Sequence, residues 1–199
     1  MHKHSLTKIA SLKSIALAAT LSLSGVAWGG TLPPVVDTFD KPENNSLGLP
    51  RQLITDSLAG GGSTAQHTIA EGVITVDGEI TPARGQLGWV SLVLPLDVQG
   101  GSQNAQPYTG ILLSVKLNKG VLSVTVNGSE IQNHDYHAAP VTVTNDGEFH
   151  QVKVPFESLK RAWSEQTPLN TGAINGISIV AYAMQPERFS FALDQVSFY

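Results

Sequence analysis

Phe189-Ser-Phe-Ala-Leu-Asp-Gln-Val-Ser-Phe-Tyr199 closes the chain, and its apolar residues change phase part-way along. Phe189, Phe191 and Leu193 share one parity, whereas Val196 and Phe198 share the other. Successive side chains of a strand point to opposite faces, so both sets reach one core only if an extra residue is inserted between them. The pattern therefore predicts a closing strand with a β-bulge near Asp194-Gln195, a device that re-aims the side chain it carries. Upstream, Glu148-Phe-His-Gln-Val-Lys-Val-Pro-Phe156 reads as another strand, and 157–163 as one short helical turn.

The same short alternating runs recur through the rest of the chain, between Gly, Asn, Asp and Pro punctuation. Residues 111–117 and 121–127 form the clearest pair, and Asn118-Lys119-Gly120 between them predicts a three-residue hairpin turn. Further strands are expected at 35–39, 64–69, 72–76, 87–94, 136–144, 149–154 and 174–182. Nine or ten short strands with a single helical turn define an all-β fold, an antiparallel jelly-roll β-sandwich.

Lys3, Lys8 and Lys13 precede an apolar core from Ile15 to Val26 and small residues at Ala27, Gly29 and Gly30. A core of about a dozen residues is shorter than the roughly twenty that span a bilayer. Residues 1–29 are thus expected to be a cleaved export signal, and 30–199 a single periplasmic or secreted domain with no membrane insertion. That signal holds three lysines and no acid, leaving nine basic residues against sixteen acidic ones. Such a balance argues against nucleic acid as a partner. The chain has no cysteine, which excludes thiol catalysis and cysteine-based metal sites.

Four ordered stretches resemble the complex I intermediate-associated protein family. They are Asp56-Ser-Leu-Ala-Gly60-Gly61-Gly62-Ser63, Asp135-Tyr136-His137-Ala138-Ala139-Pro140, Phe149-x-x-Val152-x-Val154-Pro155-Phe156 and Asp194-Gln195-Val196-Ser197-Phe198-Tyr199. The resemblance covers the chain from Val35 to Tyr199. It implies a galactose-binding-like jelly roll, a fold shared with family-eleven carbohydrate-binding modules, and a non-catalytic protein-interaction or assembly role. Within it, Asp56 and Ser63 would brace the glycine loop.

Candidate sites follow from residue chemistry. Gly60-Gly61-Gly62 lacks the Lys-Ser/Thr of a phosphate loop and reads as a tight turn. Asp194, with Asp37 and Asp40 beside the first strand, is the candidate site of a structural calcium, an ion that needs six to eight oxygens. His134 and His137 stand three apart and point to opposite faces of a strand, which argues against a shared transition metal. A sugar site needs flat aromatic faces beside hydrogen-bonding side chains. Tyr136 with Asn133 and His134 is the first candidate, followed by Tyr108 and Tyr182. Trp89, among Leu87, Val90, Leu92 and Leu94, is expected in the core, and Trp163 is expected to pack its turn onto the sandwich. Neither Gly-x-Ser-x-Gly nor His-Glu-x-x-His is present. Two partners remain: another protein, or a polysaccharide.

Overall fold

A computed structural model describes residues 31–199; the proposed export signal lies outside them. Twelve strands build two antiparallel sheets. In the first sheet, β3 (Thr64–Ala70), β4 (Val73–Ile80), β12 (Glu187–Phe198), β6 (Gly110–Lys119) and β9 (His150–Pro155) lie in that order, and β1 (Val35–Asp37) pairs with the far half of β12. In the second, the order is β10 (Lys160–Arg161), β8 (His137–Val141), β7 (Leu122–Gly128), β11 (Ile174–Ala183), β5 (Gly88–Pro95) and β2 (Gln52–Thr55). Among the described residues no helix is long and apolar enough to cross a membrane.

Period-two patterning explains the core. Val90, Leu92 and Leu94 of β5, Leu122, Val124 and Val126 of β7, and Ile177, Ile179 and Ala181 of β11 turn inward and are buried. They meet Ile74 and Val76 of β4 and Ile111, Leu113, Val115 and Leu117 of β6 from the opposite sheet. Each fully buried side chain of this size contributes roughly 1.5–3 kcal/mol of transfer free energy.

The closing strand bulges where its phase changes. Its register against β6 shifts between Leu193 and Gln195, and Phe189, Phe191, Leu193, Val196 and Phe198 are all buried. The bulge also marks a change of neighbour: β4 pairs with β12 as far as Leu193, and β1 takes over at Val196 and Ser197.

Two expectations are corrected. Residues 111–117 and 121–127 are not a hairpin, because β6 and β7 belong to opposite sheets. Gly120, at φ +91°, carries the chain across the edge of the core beside Phe189 instead. An inward apolar face on each strand is satisfied equally by pairing or by crossing over. The helical turn at 157–163 is also shorter than expected: a 3-10 turn covers Phe156–Ser158, and Lys160–Arg161 forms β10 against β8. A second 3-10 turn, Asp56–Ala59, follows β2.

Candidate functional site

The outward face of the second sheet carries a groove of about 700 Å3. Its floor is the parity that the core leaves over: Trp89, Ser91 and Val93 of β5, Ser123, Thr125 and Asn127 of β7, Ser178, Val180 and Tyr182 of β11, with Ala138 and Pro140 of β8. Pairing fixes these side chains in rows. Thr125, Ser178 and Val93 stand abreast across β7, β11 and β5; Ser123, Val180 and Ser91 form the next row. Tyr182 then lies directly opposite Trp89.

Four aromatic rings line this face: Trp89, Tyr136, Trp163 and Tyr182. Tyr136 and Trp163 meet edge to face, with ring centroids 5.3 Å apart. Trp163 is 60% exposed, so most of its indole is free for a ligand. Burial, and then the charge of Asp135, push the Tyr136 phenol upward, so it stays protonated at neutral pH.

A buried carboxylate holds that corner together. Asp135 accepts from the Arg161 Nε at 2.8 Å and from the backbone amides of Tyr136, Ala162 and Ser164 at 2.8, 3.1 and 3.0 Å. Burial alone would raise its carboxyl. The Arg161 guanidinium and the Ser164 and Tyr136 groups outweigh burial and hold it well below the usual carboxylate range. One side chain thus fixes the backbone on both sides of Trp163 and at Tyr136.

Asp56 serves the other side of the groove. Its carboxylate accepts from the Ser63 amide at 3.0 Å, the Ser63 hydroxyl at 2.7 Å and the Trp89 amide at 3.3 Å. Gly60 ends the 3-10 turn at φ +84°, and a Cβ on Gly61 would stand 2.2 Å from the Asp56 Cγ. The glycine loop is therefore a turn wrapped around a carboxylate, and that carboxylate reaches the groove through the backbone of Trp89.

The residues singled out from the sequence divide. Tyr136, Tyr182 and His134 line the groove, His134 at φ +60°. Tyr108 does not: it stacks on Phe198 at 5.0 Å and its hydroxyl donates to the Leu32 carbonyl at 2.5 Å. Asn133 also faces elsewhere, donating to the Ser164 hydroxyl at 2.9 Å and accepting from the Asp135 amide at 3.2 Å. Its role is to tie the Asp135 loop. Trp89 and Trp163, expected to be structural, are groove residues. Trp89 shares the parity of Ser91 and Val93 rather than that of Val90, Leu92 and Leu94, a signal present in the alternation itself. Trp163 carried no such signal, because its exposure depends on a loop.

The three carboxylates expected to hold calcium have protein partners of their own. Both oxygens of the buried Asp37 are taken by Arg51, whose Nε lies 2.5 Å from Oδ2 and Nη2 2.8 Å from Oδ1. Arg51 also donates to the Lys41 carbonyl at 2.7 Å and lies over the Phe39 ring. Asp40 accepts from the Thr38 hydroxyl, and the exposed Asp194 from the Ser114 hydroxyl at 3.3 Å. Among the described residues no three His, Asp or Glu side chains gather as a metal site. The His137 Nε2–H donates to the Thr167 carbonyl at 2.9 Å, and His150, on the opposite sheet, faces Asp146.

The fold and groove define a β-sandwich binding module. Residues 38–193 match the family described as Complex I intermediate-associated protein 30 (CIA30). The chain belongs to that family. No curated protein matches it. Among solved structures it is similar in fold to the family 11 carbohydrate-binding module of the cellulosomal cellulase Lic26A-Cel5E of Clostridium thermocellum. The TM-score is 0.60 at 14% identity, covering 85% of this chain and 95% of that one. It is likewise similar to the family 11 module from Clostridium thermocellum in complex with a β-1,3-1,4-mixed-linked tetrasaccharide, with TM-score 0.59 at 14% identity over 83% of this chain and 94% of that one.

Proposed function

We propose that this chain is an exported, non-catalytic polysaccharide-binding module that takes its ligand in the groove of the second sheet. The observation that carries this reading is the gathering of Trp89, Tyr136, Trp163 and Tyr182 on one outward sheet face. Aromatic faces stack on sugar rings, and such platforms beside hydroxyl and amide side chains are what a sugar site requires. The likeness in fold to a module solved with a tetrasaccharide supports it.

Thermal unfolding of the full chain against soluble glucans, xylans and mannans tests the proposal. A ligand at a hundred times its dissociation constant stabilises the native state by about 2.7 kcal/mol, a shift of several degrees for a domain of this size. Trp163→Ala is expected to leave the unliganded Tm within a degree or two while abolishing the shift, because Trp163 is mostly exposed. A shift that survives the substitution would place the sugar elsewhere.

A second reading has its own observation. Leu58, Leu87 and Met184, exposed by 81%, 44% and 63%, follow or precede the adjacent ends of β2, β5 and β11. An apolar edge of this kind suits a protein partner, as the description of the family suggests. Under that reading the polysaccharide panel gives no shift, and Leu58→Ser with Met184→Ser weakens a protein complex instead.

A further inference from the structure

We infer that the groove selects uncharged polysaccharides, through a floor of unpartnered hydroxyls laid between two aromatic corners. This rests on the groove being a sugar site and adds the class of sugar.

Three observations carry it. First, among the described residues no Asp, Glu, Lys or Arg lines the groove. Arg161, next in sequence to the groove residue Ala162, is tied to the buried Asp135 carboxylate at 2.8 Å. A polyanion would find no counter-charge there, and recognition of carboxylate or sulfate depends on charge-assisted donors. The acidic chain as a whole, at net −4, repels it further.

Second, Ser91, Thr125 and Ser178 are 8%, 6% and 4% exposed and face the groove. None of the three side chains makes a hydrogen bond among the described residues, and none of their oxygens is a fully buried unpaired atom, so the hydroxyls open onto the groove where a ligand can reach them. A hydroxyl both donates and accepts, which matches a sugar hydroxyl and is indifferent to charge.

Third, the rows separate the platforms. Trp89 and Tyr182 end the β5–β11 pair, whereas Tyr136 stands just before β8, at the Asn127 end of β7. Strand spacing and rise put these corners about 25 Å apart along a diagonal. The hydroxyl rows lie between them. A linear chain of several sugar rings spans that diagonal; a monosaccharide reaches one corner only.

The test compares neutral hydroxyethyl cellulose, xylan and galactomannan with carboxymethyl cellulose, polygalacturonate and alginate, by affinity electrophoresis of the full chain at about 20 mM and about 0.5 M salt, where screening differs strongly. At least one neutral polymer is expected to bind with an affinity that changes less than about twofold across that range. The anionic set is expected to be inert. Binding of an anionic polymer that weakens tenfold with salt overturns the inference while leaving the sugar site standing. Silence from both sets overturns the sugar site as well.

Thr125→Val combined with Ser178→Ala separates function from folding. Removing hydroxyls that have no protein partner is expected to leave Tm unchanged or raise it, while affinity falls about tenfold. Undiminished affinity in that variant would show that the hydroxyl floor is not the contact surface.

Discussion

A single carboxylate, Asp135, determines how two of the four groove aromatics are presented. It accepts four hydrogen bonds from Arg161 and from the backbone around Tyr136 and Trp163. Asp135→Asn leaves the Arg161 guanidinium without its partner, at a cost of about 3 kcal/mol. The folded-state carboxyl sits below its unfolded value, so its stabilising contribution is complete above about pH 4 and is lost as the pH falls below that. Wild-type chain should therefore lose stability between about pH 4 and pH 2 more steeply than the Asn variant. Thermal melts across that range check it, and parallel curves would mean that Asp135 is not the titrating group. His134 and Tyr136 were legible as neighbours in sequence, but the Asp135 clamp was not. It joins residues 26 to 29 positions apart, which no local pattern reports.

At the scale of elements, the 3-10 turn after β2 and its glycine loop hold the first of the four stretches that resemble the family. Gly61 has no positive φ; it is required because the Asp56 carboxylate occupies the space of a Cβ. Gly61→Ala is expected to destabilise the fold by about 2 kcal/mol through that clash. Gly147→Ala, at φ +82° with open space around it, should cost about 1 kcal/mol from backbone strain alone. Differential Tm values decide the ranking. Gly61→Ala should also weaken polysaccharide binding, since Asp56 holds the Trp89 amide at 3.3 Å. Equal affinity for both glycine variants would disconnect the turn from the groove. The turn itself was legible from Gly60-Gly61-Gly62, whereas its link to Trp89 spans 33 positions and was not.

At the scale of the whole molecule, the first strand, paired with the last, carries the acidic half of a buried ion pair whose cation stands just before β2. Asp37 is fully buried and Arg51 supplies its counter-charge. Chelation is expected to leave Tm unchanged, whereas Arg51→Met should lower it by several degrees. A drop on chelation alone would show an ion elsewhere. By itself the sequence determined an all-β sandwich, the bulge at Asp194, the inward parity of most strands and the turn at Gly60. All of these follow from local rules, a period of two and the conformational needs of glycine. Only the tertiary structure decided that β6 and β7 lie in opposite sheets, and hence which outward faces adjoin. It is that adjacency of β8, β7, β11 and β5 that brings Tyr136, Trp163, Trp89 and Tyr182 onto one groove. Alternation tells a strand which side to bury; the choice of neighbour is set by long-range packing.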